Sequence, residues 1–170
     1  MKHTKKLALT ALFAALTFCA TFVIKVPTVT GGYANLGDSL VLTSAWVLGP
    51  YGILSAALGS ALSDLLGGYP IYILPTFIIK GLMAFVAWGL FKIIAVKRTF
   101  VSRIIGAIAA EIIMVGGYYL VEATFLGYGF AGALASVPGN AVQAVFGIVS
   151  GVIITEVLLN VKATQRFLNK

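Results

Sequence analysis

Residues 7–24 read LALTALFAALTFCATFVI, and residues 123–155 read ATFLGYGFAGALASVPGNAVQAVFGIVSGVIIT. Neither stretch contains a charged residue, and each can supply the roughly 20 apolar residues that cross a bilayer as a helix. The whole chain is 60% hydrophobic and only 10% charged, with a mean hydropathy of +1.03. A soluble fold of 170 residues could not bury that much apolar surface. The composition therefore predicts an all-α membrane protein.

Glycines, prolines and charged residues divide the chain into six helical segments, at residues 5–24, 38–48, 52–66, 73–96, 101–126 and 138–160. The first segment is expected to remain in the mature protein, because Lys25-Val26-Pro27 follows it in place of a small-residue cleavage site. The second reaches only about 15 Å, so it must lie against protein, tilt, or be extended by the preceding loop. Residues 1–170 are predicted to form a single membrane domain, one compact bundle.

The basic residues indicate the orientation of this bundle. The loops at 27–37, 67–71 and 127–136 contain no Lys or Arg, whereas most of the 12 basic residues flank the other connections and the termini. By the positive-inside rule, both termini and the second set of connections face the cytoplasm. This topology also accounts for the net charge of +7 without nucleic acid. The residues assigned to the cytoplasmic side are Lys2, Lys5, Lys6, Lys92, Lys97, Arg98, Arg103, Lys162, Arg166 and Lys170.

Ionisable residues interrupt the apolar helices, and such residues within a membrane are functional candidates because burying a charge there is costly. In the predicted topology most of them fall in the outer half of the membrane. In the fifth helix, Glu111, Val115, Tyr118 and Glu122 share one face, with Glu111 deepest. The sequence therefore predicts an outward-facing polar pocket formed by Tyr33, Asn35, Asp38, Asp64, Lys80, Glu111, Tyr118, Glu122, Asn140 and Gln143.

Several of these residues also have a purely structural interpretation. Asp38 could cap the second helix, and Asp64 could simply end the third. Lys80 could form a buried pair with Asp64 or Glu111. A carboxylate at the depth of Glu111 needs a partner, a proton or a cavity, and we favour a role in lining the pocket.

The uncharged candidate residues also have a structural interpretation. Tyr118 and its neighbour Tyr119 could belong to an aromatic belt at the membrane surface. Asn140 and Gln143 suit recognition of a small heterocycle, but they could instead hydrogen-bond between helices.

The sequence lacks residues on which several common classes of enzyme depend. His3, the only histidine, precedes the first helix, so Ser-His hydrolysis and histidine metal sites are disfavoured. Cys19 is the sole cysteine and is interpreted as a packing residue. The G-x-x-x-x-G-K-[ST] phosphate loop is absent from the sequence, so energy from ATP must be supplied by another protein.

Five short motifs occur in an order that resembles the substrate-binding S components of energy-coupling factor (ECF) transporters. They are Ala11-Leu-Phe-Ala-Ala15, Gly31-Gly-Tyr-Ala-Asn-Leu-Gly-Asp38, Leu48-Gly-Pro50, Gly59-Ser-Ala-Leu-Ser-Asp64 and Ile79-Lys80-Gly81. The resemblance implies a non-enzymatic subunit that captures a vitamin near the outer face. It also implies a transmembrane T component and two cytoplasmic ATPase subunits as partners, which hydrolyse ATP, with no cofactor in this chain itself.

The resemblance further suggests a ligand and a docking surface. It is nearest to S components for pyridoxine or hydroxymethylpyrimidine, with riboflavin next, and Tyr33, Tyr118 and Tyr119 could stack on such rings. Nickel and cobalt members carry a histidine directly after the initiator methionine, where this chain has Lys2. Ala11 and Ala15 form a small-residue strip that in this family docks on the T component, although packing within the bundle, as for Gly147 and Gly151, is an alternative.

Two other functions remain open from the sequence. A self-sufficient proton-coupled transporter would use Glu111 or Glu122 as a proton relay. This function is disfavoured because the 170 residues of this chain leave little room for the paired repeats that such transporters contain. A structural or assembly protein would need no outward-facing polar pocket.

Overall fold

The computed structural model describes residues 3–28, 30–94, 99–162 and 164–165. In these ranges the chain forms six main helices, a short helix and a β-hairpin. The main helices are α1 (His3–Val23), α2 (Asp38–Leu48), α3 (Pro50–Gly67), α4 (Ile73–Ile94), α5 (Thr99–Leu120) and α7 (Val137–Asn160). The short helix is α6 (Gly129–Ala133), and strands β1 (Lys25–Pro27) and β2 (Tyr33–Asn35) pair antiparallel between α1 and α2.

The short helix α2 lies inside the bundle. It contacts α1, α3, α4 and α7, and its residues Val41, Leu42 and Ala45 are fully buried. Around it, α1 packs on α3, α3 on α4, α4 on α5, and α5 on α7. A helix of 11 residues was expected to lie against protein, to tilt, or to be extended by the preceding loop. The structure confirms the first of these.

Four segments are long and apolar enough to cross a membrane, namely His3–Val23, Pro70–Ile94, Thr99–Phe125 and Gly129–Asn160. Their outward side chains are large and apolar, such as Ile112 and Phe125, whereas buried positions are often small and polar, such as Thr76 and Ser102. This reverses the pattern of a soluble protein. Membrane helices gain their packing energy from close approach of small residues, because lipid is as apolar as leucine.

Glycines permit the closest helix contacts. A Cβ on Gly59 of α3 would lie 2.9 Å from Thr17 Cβ of α1 and would contact the Ala14 carbonyl oxygen. A Cβ on Gly151 of α7 would lie 3.2 Å from Leu42 of α2. The strip of Gly147 and Gly151 therefore serves packing inside the bundle.

The two ends of the bundle differ in chemistry. At one end, Lys6 of α1 lies over the Tyr51 ring at 5.4 Å, and Arg103 of α5 pairs with Glu156 of α7. The opposite end carries the hairpin, the α3–α4 connection and α6. The separation agrees with the predicted clustering of basic residues at one end. The predicted basic residues Lys2, Lys97, Arg98, Arg166 and Lys170 lie outside the described residues.

Most predicted boundaries agree with the structure to within a few residues, and those of α2 match. The fifth helix, predicted to reach residue 126, ends at Leu120, and the chain continues as a π-helical turn at Val121–Phe125. The predicted end of the fourth helix, Val96, lies outside the described residues. The hairpin and α6 were not predicted, because strands of three residues are too short to show alternation and α6 is rich in glycine.

Candidate functional site

A polar cavity lies beneath the β-hairpin, at the end of the bundle opposite to the basic residues. It encloses about 20 Å³, which is on the order of the space needed for one water molecule. Hydroxyl, amide, carboxyl, ammonium and aromatic groups converge there from the hairpin and from five helices or helix ends. The lining residues are Thr21, Thr28, Gly32, Tyr33, Asn35, Asp64, Tyr72, Thr76, Lys80, Tyr118, Glu122 and Asn140.

One wall of the cavity is formed where the hairpin meets the end of α3. The Tyr33 hydroxyl donates to Asp64 Oδ1 at 2.6 Å and lies 3.2 Å from the Ser63 hydroxyl. Burial, together with the neighbouring Asp64 carboxylate, raises the pKa of Tyr33 well above its usual value. Tyr33 therefore keeps its proton and acts as a donor to Asp64.

Lys25 lies on the outside of this wall. Its ammonium sits 4.5 Å from the ring centroids of Phe22 and Tyr33 and 5.2 Å from that of Tyr69. Burial lowers the pKa of Lys25, while the Asp64 carboxylate opposes that shift. The contacts connect α1, the hairpin and the α3–α4 connection beside the cavity.

Glu122 holds the tip of the hairpin from the opposite side. Its Oε1 accepts hydrogen bonds from the Thr30 hydroxyl at 3.0 Å and from the Tyr72 hydroxyl at 3.2 Å, and its Oε2 accepts from Ser136. The carboxylate is 2% exposed. Three hydroxyl donors thus meet at one buried group, and among the residues that the structure describes they satisfy it without a positive partner.

A second hydrogen-bonded chain runs beneath the cavity. The Asp38 carboxylate of α2 pairs with Lys80 of α4 and accepts from Gln143 Nε2 of α7 at 2.5 Å. Gln143 Oε1 in turn accepts from the Asn35 backbone N–H of β2 at 2.7 Å. Because Lys80 also lines the cavity, this chain connects a cavity group to the hairpin.

The far wall of the cavity is aromatic. The Tyr118 hydroxyl of α5 lies 2.9 Å from the Thr76 hydroxyl of α4, and the Tyr72 and Tyr118 ring centroids are 6.4 Å apart. The Lys80 ammonium lies 5.6 Å from the Tyr118 ring centroid. Flat rings beside charged and amide groups are suited to a small polar heterocycle.

Comparison with known proteins identifies the family. The model of the ECF-type riboflavin transporter S component family matches residues 1–160 of the chain. This chain is an ECF S component. It is therefore a multi-pass membrane protein of a vitamin-uptake family, as the motifs of the sequence predicted.

Two relatives align with most of the S component. It is 35% identical over 134 residues to an uncharacterized protein of Pyrococcus woesei, covering 77% of this chain and 86% of that protein. It is 29% identical over 151 residues to the thiamine precursor transporter HmpT of Lactococcus lactis, covering 87% and 84% respectively.

A solved structure shares the fold of the S component. That structure is of the S component of a bacterial ECF transporter, and the two superpose with a TM-score of 0.74 over 99% of this chain and 100% of the other. The sequence identity is 22%, so the likeness bears on the fold alone.

Most of the predicted binding residues of the S component do lie together. Those along the cavity wall are Tyr33, Asn35, Asp64, Lys80, Tyr118, Glu122 and Asn140. Asp38 and Gln143 lie beneath the cavity in the chain that ends at Lys80. Glu111 lies deeper, and in the described part of the chain neither of its oxygens has a hydrogen-bond partner.

The structure corrects three interpretations made from the sequence. Lys80 pairs with Asp38 and not with Asp64 or Glu111, because central α2 brings Asp38 between α4 and α7. Asp38 does not cap its helix: Gly37 occupies the cap position and no side chain bonds there. The Asp64 carboxylate does more than end α3, since it accepts from Tyr33.

The two neighbouring tyrosines of α5 have different surroundings. Tyr118 faces the cavity, so it is not part of a surface belt. The Tyr119 hydroxyl instead donates to the Phe130 carbonyl of α6 at 3.3 Å, away from the cavity.

Several cavity residues of the S component were not found from the sequence: Thr21, Thr28, Gly32, Tyr72 and Thr76. Hydroxyl groups are common in apolar helices, so they do not stand out as charges do. For Thr76 a signal existed, since it precedes Lys80 by four residues and therefore shares its helix face.

The strip predicted to dock on a partner is exposed. Ala11 and Ala15 both face away from the bundle, whereas Ala14 and Thr17 on the same helix contact Gly59 of α3. An apolar groove of about 510 Å³ runs along another face of α1, lined there by Leu9, Leu12, Phe13 and Leu16.

Proposed function

We propose that this S component captures a small water-soluble vitamin or vitamin precursor in the cavity beneath the hairpin. A hydroxymethylpyrimidine is the favoured ligand, riboflavin is next, and pyridoxine shares the same chemistry. The observation that carries the proposal is the convergence of Asp64, Glu122 and Asn140 with the Tyr72 and Tyr118 rings in one pocket. The chain acts as a binding subunit and not as an enzyme.

The chemistry of the wall favours a heterocycle that donates hydrogen bonds. Asp64 and Glu122 are acceptors for an amino or hydroxymethyl group, and Asn140 can both donate and accept. A ring can lie against Tyr118. The relative HmpT is named for a thiamine precursor, which supports a pyrimidine, and the family description supports riboflavin.

Binding requires the cavity to open. A space of about 20 Å³ is far too small for a vitamin, so groups of the wall must move apart to admit one. We infer that the hairpin is the moving part. Its tip is tied by the Thr30–Glu122 bond and its base by the Asn35–Gln143 bond, and both bonds can break without disrupting a helix.

The sequence carries no phosphate loop, so ATP-driven transport needs partner proteins. We propose that a transmembrane T component and two ATPase subunits supply ATP hydrolysis. The exposed Ala11 and Ala15 strip is the proposed docking surface for the T component. The basic end of the bundle, which carries the helix termini, faces the cytoplasm in this proposal.

Equilibrium binding to the purified chain tests the capture function. Hydroxymethylpyrimidine, riboflavin and pyridoxine are titrated separately by calorimetry, and saturable binding of one of them is expected. Asn140→Ala should weaken that binding by roughly 10-fold or more, because it removes a buried hydrogen-bonding group. Asn160→Ala, at the exposed end of the same helix, is the matched control. Absence of saturable binding to all of these compounds would contradict the proposal.

A further inference from the structure

Glu111 is an unusual buried acid. Its side chain is 2% exposed, and neither carboxyl oxygen has a hydrogen-bond partner within residues 3–28, 30–94, 99–162 and 164–165. The other buried carboxylates contrast with it: Glu122 accepts three hydroxyls, Asp38 accepts Lys80 and Gln143, and Asp64 accepts Tyr33 on one of its two oxygens. An ionised carboxylate without a donor is very costly at such a position.

The charges near Glu111 cannot balance it. The charged groups facing it are Asp38 from α2 and Lys80 from α4, while α7 presents Gly147. Lys80 is already paired with Asp38, so this pair is neutral on its own. An ionised Glu111 would leave two carboxylates sharing one ammonium inside the bundle. A neutral carboxyl group avoids that imbalance.

The space for Glu111 is built into α7. A Cβ on Gly147 would contact Glu111 Oε1 and would lie 2.9 Å from Asp38 Cβ. Glycine at this position lets α7 pack over the carboxyl group. The helices around Glu111 therefore leave space for its carboxyl group, although no described residue forms a hydrogen bond to it.

Glu111 also reaches a second surface. It lines a groove of about 410 Å³ between α5 and α7, whose other walls are apolar and include Ile112, Val115 and Gly116. The groove is separate from the capture cavity, which Glu111 does not line. Ile112 at its edge is 67% exposed on the side that faces lipid. The carboxyl oxygens themselves are buried beside this groove, and a buried carboxyl group without a counter-charge is a place where a proton can bind.

We propose that Glu111 is a membrane-embedded proton-binding site, reached through the groove between α5 and α7. With a proton bound, Glu111 does not compete for Lys80, so Lys80 stays paired with Asp38. Asp38 in turn keeps its hydrogen bond from Gln143, which accepts from the Asn35 backbone N–H of the hairpin. Loss of the proton would make Glu111 compete with Asp38 for Lys80. The site does not depend on which vitamin binds.

A hydrophobic carbodiimide tests this proposal, because it reacts with protonated carboxyl groups in apolar surroundings. The carboxyl oxygen bonds to the central carbon of the reagent, and the proton moves to a reagent nitrogen. The full chain in lipid vesicles is treated with dicyclohexylcarbodiimide, and modified peptides are quantified by mass spectrometry. Glu111 should be modified at least about tenfold more than Glu156, which is paired with Arg103. Equal modification, or an unmodified Glu111, overturns the proposal.

Two glycine variants test the route. A Cβ on Gly116 or on Gly89 would meet nothing within 4 Å, so both sites have room for a larger side chain. Gly116→Trp fills the groove and should reduce labelling of Glu111 by at least about fivefold, whereas Gly89→Trp on α4 should leave it unchanged. Labelling that is insensitive to Gly116→Trp overturns the proposed route.

Glu111→Gln tests the charge state without a reagent. Glutamine is neutral and nearly isosteric, so the variant should keep the thermal stability of the parent and lose the label. A large drop in melting temperature would show that an ionised Glu111 is required, which contradicts the proposal. Neither measurement involves a vitamin, so failure here is distinguishable from failure of the capture function.

Discussion

The Tyr33 hydroxyl donates to Asp64 Oδ1 at 2.6 Å, and this bond joins the β-hairpin to the end of α3. It is formed beside the cavity, by residues 31 positions apart in the chain. The same hydroxyl lies near Ser63, and the ring of Tyr33 packs on Tyr69 with centroids 4.6 Å apart. The hairpin is therefore attached to α3 by the hydrogen bond of the Tyr33 hydroxyl and to the α3–α4 connection by the contact of its ring with Tyr69.

Tyr33→Phe removes the donor and keeps the ring. Asp64 would lose its hydrogen bond, so we expect the free energy of unfolding to fall by about 1–3 kcal/mol and ligand binding to weaken. Thermal unfolding in detergent and calorimetric binding measure the two effects. Tyr69→Phe is the matched control, because it alters a hydroxyl in the same aromatic contact. Equal effects of the two substitutions would contradict a special role for the Tyr33–Asp64 bond.

Glu122→Gln weakens the attachment of the hairpin tip. The amide can still accept from Thr30, but it no longer carries the charge that strengthens these hydrogen bonds. Backbone amides of the Thr28–Gly32 turn, such as that of Gly31, should exchange with deuterium faster, by roughly 5- to 10-fold. Ser136→Ala, which removes only one of the three donors, should give a smaller increase. Unchanged exchange in Glu122→Gln would argue that the carboxylate does not hold the tip.

Gln143→Leu breaks the chain beneath the cavity. It leaves the Asn35 N–H and one Asp38 oxygen without a partner, so we expect a loss of about 1–3 kcal/mol in unfolding free energy. Ligand affinity should fall as well, since Asn35 and Lys80 both lie on the cavity wall. Gln165→Leu, at an exposed site after α7, serves as the control. Normal stability of Gln143→Leu would show that these bonds contribute little.

Ala11→Trp tests the docking surface. The bulky ring would occupy the exposed strip of α1 without entering the bundle, so ligand binding should be retained while assembly with the T component is lost. Copurification with tagged partner subunits, alongside vitamin binding, measures both properties. Gly89→Trp places the same side chain in open space on α4 and should assemble normally. Normal assembly of Ala11→Trp would exclude this strip as the docking surface.

The helices could be predicted from the sequence because the physical signals were strong. Long uncharged runs locate membrane helices, and the limits of α2 followed from Asp38 at its start and Gly49-Pro50 at its end. Charges in apolar helices pointed to the cavity, since Asp64, Lys80 and Glu122 all line it. In these cases the free-energy cost of exposing one charged residue to lipid restricts where that residue can lie.

The pairing of the charges could not be predicted in the same way. Whether Lys80 meets Asp38, Asp64 or Glu111 depends on which helix lies at the centre of the bundle, and hydropathy does not reveal that. The hydroxyls of Thr30, Tyr72 and Ser136 were missed as partners of Glu122 because they are separated by long stretches of chain. Their meeting point is set by the hairpin, whose strands are too short for a periodic signal.

The central position of α2 has a consequence for how the protein is made. Its side chains pair with α7: Ser39 with Ser150, and Thr43 with Thr155. Because α2 ends at Leu48 and α7 begins only at Val137, the ribosome delivers α2 well before its principal polar neighbour exists. At about 16 Å this helix cannot span a bilayer alone, and Asp38 at its tip has no counterpart until Lys80 emerges. The nascent chain must therefore hold α2 at the membrane surface or inside the insertion machinery until α7 has emerged.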